Sequence, residues 1–95
     1  MAKKHERGNE TVLAVCDKEH LGKTFEEGKI FFEARESFYG GEEVSEEELI
    51  KLFSEANSIN LFGNKCVLLA EKEGLISGLS PIIIKGIKHA QVYKV

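Results

Sequence analysis

The sequence predicts an α+β fold: two helices packed on one face of a mainly antiparallel sheet of about five strands, opening with a β-hairpin. Three stretches carry that prediction. Residues 3–7 and 10–16 flank Gly8-Asn9, a glycine-bearing two-residue turn of the kind that closes hairpins. SEEELIKLFSEA over 45–56 has helical apolar spacing behind a capping signal. The C-terminal run PIIIKGIKHAQVYKV supplies strand-forming residues around the bend at Gly86.

Taken in order, the polar first strand belongs at a sheet edge, with Arg7 opposite Glu10 helping to fix register. TVLAVC over 11–16 is apolar on both alternating faces after its first residue, as a strand covered above and below would be. It stops at Asp17. DKEHLGKT over 17–24 then reads as a polar loop, and loops presented by a rigid scaffold are where sites concentrate. Residues 29–35 form the expected third strand, with Ile30, Phe32 and Ala34 on its apolar face. SFYGG over 37–41 reads as a turn, with Phe38 expected to be buried and Tyr39 partly exposed.

The first helix starts at Ser45, whose pairing with Glu48 is a capping box, with Glu46 and Glu47 placed where the helix dipole favours anions. Leu49, Leu52, Phe53 and Ala56 form its buried stripe. Residues 59–62 are expected to be a short apolar connection. Asn64 is the expected N-cap of a second helix that ends at Gly74, with Leu75 folding back towards Ala70 and with Cys66, Leu69 and Ala70 facing inward. Residues 78–81 read as a turn, 82–84 as an interior strand and 89–95 as the last strand.

Length and composition set limits on function. A chain of 95 residues is expected to be a single domain, 1–95, that buries roughly 60–65% of its unfolded surface without staples. A hydrophobic content of 42% with six Phe supports a real core and argues against disorder. No apolar run approaches the roughly 18 residues of a membrane span, and MAKKHERGNE lacks the apolar centre of a signal peptide, so a cytoplasmic protein without membrane contact is expected. Cys16 and Cys66 both sit in apolar patterns and read as small buried hydrophobes, not as a disulfide.

The net charge of −3 is unlike the cationic footprint that coats nucleic acid, but it is unevenly spread. Lys3, Lys4 and Arg7 face only Glu6 in the first seven residues, Lys85, Lys88 and Lys94 follow position 81 without an acid, and Glu42, Glu43 and Glu46–Glu48 crowd the middle. Terminal strands in one sheet would gather the basic residues on one side.

Several chemical constellations can be weighed. Gly22-Lys23-Thr24 resembles the tail of a phosphate-binding loop, but position 17 is Asp where that motif needs glycine, and a strand follows instead of a helix. Cys16, Asp17 and His20, even with His5, His89 or Cys66, lack paired cysteine spacing, so neither a metal nor a cofactor is expected. Cys16 as nucleophile, with His20 or His89 as base and the N–H groups of Gly40 and Gly41 as oxyanion donors, would be an acyl-transfer site. The buried strand pattern around Cys16 opposes it.

With these residues in view, the chain resembles the archaeal family known as domain of unknown function 424. The resemblance runs through the opening hairpin, AVCDKEHLGKTFEEGKIFFE, the FYGGE turn, EEELIKLFSEAN, NLFGNKCVLLAEKEGLI and the closing IKHAQVYKV. It implies a small archaeal cytoplasmic protein with no established activity and a tie to translation, and it brings no functional residues with it.

The expected function is a non-catalytic binding module in translation or RNA metabolism, with the ribosome or RNA as partner. Its expected contact surface comprises Asp17, Lys18, His20, Lys23, Tyr39, Gly40, Gly41, Lys85, Lys88 and His89. The alternative is an adaptor that binds a protein partner through the acidic helix start and the FYGG turn.

Overall fold

The computed structural model describes residues 1–76 and 81–93. The expected turn at 78–81 falls almost wholly outside these residues, as do Lys94 and the end of the last strand.

The opening hairpin forms as its turn chemistry dictates. β1 (Ala2–Arg7) and β2 (Glu10–Cys16) pair antiparallel with Arg7 opposite Glu10, and Gly8 takes the positive φ of 61° that lets a two-residue turn follow the strand twist. β2 runs parallel to β5 (Ser58–Phe62), which pairs antiparallel with β7 (Ile87–Tyr93), and β6 (Ile82–Ile84) closes the edge. The order β1-β2-β5-β7-β6 gives a five-stranded sheet with one parallel pair.

Three expectations about strands are corrected here. Residues 59–62 are not a connection: they belong to a central strand, because β2 and β7 supply backbone partners on both sides that no local pattern announces. Residues 29–35 do not join the main sheet. β4 (Ile30–Glu33) pairs with β3 (Thr24–Glu27) in a separate two-stranded sheet, so the 17–24 loop is shorter than its polarity suggested. The triple isoleucine is an edge strand, with Ile82 and Ile83 57% and 54% exposed and only Ile84 buried.

Both long helices lie on one face, as expected. α2 (Glu46–Glu55) begins at Ser45, whose Oγ accepts the Glu48 N–H at 3.2 Å, the first bond of a capping box, and donates to Glu48 Oε1 at 3.3 Å. α3 (Asn64–Lys72) ends at Gly74 with φ 76°; the Leu75 N–H donates to the Ala70 carbonyl and the Gly74 N–H to that of Glu71, the two bonds of a Schellman cap. Leu49, Phe53, Cys66, Val67 and Ala70 from the helices meet Leu13, Val15, Ile59, Leu61, Ala90 and Val92 of the sheet. Full burial of each large side chain stabilises by about 1.5–3 kcal/mol, so this face holds most of the core energy.

The described elements cover only half of the opposite face. The β3–β4 hairpin and α1 (Glu36–Tyr39) pack over Ala14, Cys16 and Phe62 at the end where β2 finishes. Phe62 is the anchor, stacked on Phe32 at 4.2 Å and touched by Phe25 at 5.1 Å and His20 at 5.7 Å between ring centroids. No helix of the described residues is long and apolar enough to cross a membrane.

Candidate functional site

Strand alternation decides what the half-covered face displays. Cross-strand partners share a face, so Lys3 and His5 of β1 stand beside Ala14 and Val12 of β2, then Asn60 and Ser58 of β5, then Gln91 and Tyr93 of β7. α1 lies across this row. A cleft of about 410 Å³ opens between it and the sheet, lined by Phe32, Arg35, Phe38, Tyr39, Asn60, His89 and Gln91 among others. Beyond the cleft no element of the described residues covers the face, and Tyr93 stands 74% exposed.

The cleft floor is a polar network in apolar walls. Asn60 Oδ1 accepts the Tyr39 hydroxyl and the His89 Nε2–H, both at 3.0 Å. His89 also packs against the Phe32 ring at 4.8 Å between centroids. Burial lowers the pKa of its imidazole and raises that of the Tyr39 phenol, so both groups are held neutral. At the rim the His5 Nε2–H donates to the Phe38 carbonyl at 2.8 Å and the two rings stack at 4.8 Å. Lys3 Nζ reaches the Ser37 carbonyl at 2.9 Å, and Arg35 Nε holds Glu33 at 3.0 Å.

The expected exposures of the two neighbouring aromatics are reversed. Tyr39 is 3% exposed and Phe38 only partly buried, because the single turn of α1 swings Tyr39 down to Asn60 and leaves Phe38 at the rim against His5.

Among the residues expected to form one contact surface, Tyr39 and His89 meet in this cleft. The others lie elsewhere. Asp17 is buried at 8% exposure, and its carboxylate caps α3, accepting the N–H of Lys65 at Oδ2 and of Cys66 at Oδ1, each at 3.0 Å. The expected cap, Asn64, is instead the first helical residue. Gly63 takes the N-cap position with φ 133° and no side chain, which leaves room for the carboxylate. Asn64 turns to the β6–β7 turn, accepting the Lys88 N–H at 2.9 Å and donating to the Gly86 carbonyl at 3.1 Å.

Lys18 follows Asp17 in a single 3₁₀ turn, Lys18–His20, and pairs with Glu43 at 3.2 Å, joining the loop to the stretch after the double glycine. His20 lies against Phe25 and Phe62, and Lys23 is exposed in the approach to β3. Gly40 and Gly41 spend their N–H groups on the carbonyls of Glu36 and Tyr39, and Gly41 sits against Ala2 too closely for a Cβ. Lys85 occupies the β6–β7 turn, where its N–H meets Glu27 Oε2 at 3.1 Å. Lys88 faces the helix side and pairs with Glu71 at 3.6 Å.

These positions remove the Cys16 nucleophile. Cys16 is 1% exposed, burial pushes its thiol up to about 12, and its S–H donates to the Asp17 carbonyl at 3.3 Å. The two glycine N–H groups proposed as oxyanion donors are already bonded within the chain. Asp17, Glu19 and His20 each bring one ligand atom within 4.8 Å of the others, but both Asp17 oxygens are committed to α3.

Sequence reasoning missed Asn60, Gln91, Phe32 and Arg35. A signal existed for Asn60, the one amide inside SINLF, though it becomes meaningful only once that segment is known to be a central strand.

A search of curated proteins finds no match to this chain. Among solved structures, an uncharacterized conserved protein from Methanopyrus kandleri matches with a TM-score of 0.83 and 24% identity, over 99% of this chain and 90% of that one, which shows a shared fold. The family described as Protein of unknown function (DUF424) matches residues 5–95, so the chain, with its half-covered sheet and aromatic cleft, belongs to that family.

Proposed function

We propose that the protein is a non-catalytic RNA-binding module of translation or RNA metabolism, and that it engages unpaired RNA with the open half of its sheet and the adjoining cleft. One observation carries this reading: a sheet face that no described element covers beside Asn60, Gln91 and Tyr93, adjoining a cleft walled by Phe32 and Phe38. Exposed aromatics on a sheet are platforms on which bases stack, at about 1–3 kcal/mol per base, and that term does not require a cationic protein. Phosphate contacts would fall to Lys3, Arg7 and Arg35, the cations of this face and its rim.

Three such contacts set the expected salt response. Binding to single strands loses affinity with a log–log slope of about −0.7 per phosphate neutralised, so a slope of about −2 is expected. Fluorescence anisotropy with a labelled unstructured oligoribonucleotide at several salt concentrations measures both affinity and slope. Absence of binding at low salt rejects the reading.

The protein-partner reading through the FYGG turn has less support. The backbone donors of Gly40 and Gly41 are used internally, and Glu43 of the acidic stretch is paired with Lys18.

A further inference from the structure

We infer that Asn60 and His89 read the Watson–Crick edge of an unpaired base seated in the cleft, with Tyr39 as the residue that positions them. The inference rests on the RNA reading above and names the part of the RNA that the cleft requires.

It follows from counting hydrogen-bonding groups. The two acceptor sites of Asn60 Oδ1 are filled by the Tyr39 hydroxyl and the His89 Nε2–H. With its oxygen in the protein network, the two N–H donors of Asn60 Nδ2 have no partner among the described residues. The same contact places the imidazole proton of His89 on Nε2, the nitrogen that faces the amide oxygen. A neutral ring protonated at Nε2 retains Nδ1 as its one acceptor, and no described residue donates to it. Asn60 and His89 both line the cleft together with Phe32 and Phe38, so the hydrogen-bonding groups these two residues have left for a ligand there are an amide donor and an imidazole acceptor.

Each of the four bases carries the complementary pair on its Watson–Crick edge: N1 and the N6 amine in adenine, O4 and N3–H in uracil, O6 and N1–H in guanine, N3 and the N4 amine in cytosine. Gln91, opposite Asn60 in register, adds a second amide at the mouth. The volume of about 410 Å³ lies within the roughly 300–1,000 Å³ of ligand pockets, enough for a planar ring. Recognition of this kind tolerates sequence, because all four edges satisfy it. It excludes any base whose edge is occupied, whether by pairing or by a methyl group.

The test is isothermal titration of the whole protein with an octamer of uridine, the same octamer built from 3-methyluridine, an octamer of cytidine and a mixed-sequence RNA duplex. The uridine and cytidine octamers are expected to bind alike. The methylated octamer, which stacks but lacks N3–H, and the duplex are expected to bind at least about tenfold more weakly. Asn60→Asp keeps the acceptor for Tyr39 and His89 but replaces the outward donors, and is expected to lose about as much. A long-range proton–nitrogen NMR spectrum should show His89 Nδ1 unprotonated, and shifted by the uridine and cytidine octamers but not by the methylated octamer or the duplex. The methylated ligand is tested on the wild-type protein, so a variant that fails to fold does not shield the inference. Equal affinity for methylated, duplex and unmodified RNA overturns edge reading while leaving RNA binding standing. Failure of every RNA to bind removes both.

Discussion

The carboxylate of Asp17 accepts the N–H of Cys66 at 3.0 Å across 49 positions of sequence, and its other oxygen accepts that of Lys65. The residue after β2 thus caps α3 through a tertiary contact, accepting from two of the four N–H groups that a helix start leaves without intrahelical partners. A carboxylate also suits the positive end of the helix dipole.

Replacing Asp17 with Ala is expected to cost about 2–3 kcal/mol, since two charge-assisted bonds disappear and two N–H groups at a partly buried helix end are stranded. Asp17→Asn retains one acceptor and should cost about half as much. Urea unfolding measures both. Equal stability of Asp17→Ala and wild type would show that the cap is incidental.

Gly63→Ala tests the same joint from the other side. At φ 133° an L-residue is strained, and a Cβ would collide with the Asp17 carboxylate. A loss of about 3 kcal/mol or failure to fold is expected. Gly8→Ala is the control: its φ of 61° carries backbone strain, but nothing lies near a Cβ there, so its cost should stay near 1 kcal/mol.

These two residues also show what a sequence can disclose. The Ser45–Glu48 box and the Gly74 cap were legible because each is closed by residues within a few positions of one another. Asp17 looked like the start of a polar binding loop because its partners are 48 and 49 residues away. Asn64 looked like a cap for the complementary reason: local pattern favours Asn there, and only the tertiary arrival of Asp17 displaces it. The same non-locality hid β5, whose five residues are a strand by virtue of β2 and β7, and with it Asn60. Tyr39 and His89 are candidates on sequence alone, but that they share a cleft follows from strand order, not from their spacing.

Stability should respond to pH on both sides of neutrality. Burial lowers the folded pKa of His89 below the ordinary 6.5, so below that pH the unfolded chain takes up a proton that the folded one resists. The contribution is whole above 6.5 and is lost as pH falls towards the folded value. Cys16 acts in the opposite direction: between 9.0 and about 12 the unfolded thiol ionises while the folded one does not, so stability declines as pH rises through that window. Thermal unfolding should show a plateau between these limits, and His89→Gln should flatten its acidic shoulder. An acidic shoulder unchanged in His89→Gln would contradict the assignment.

Neither cysteine should react in the native protein. Cys16 and Cys66 are both buried, and desolvation keeps both thiols protonated. Iodoacetamide at neutral pH is expected to leave both unmodified until denaturant is added. Rapid native modification of Cys16 would reopen the nucleophile that its burial closes.

The most direct measurement of the binding surface is a residue-resolved NMR titration of the nitrogen-15-labelled protein with an unstructured uridine octamer. Shifts concentrated at His5, Asn60, His89, Gln91 and Tyr93, with α2 and the exposed Leu68 of α3 unmoved, are the expected result. Shifts centred on the helix face, or none at saturating RNA, would contradict the placement of function on the open side of the sheet.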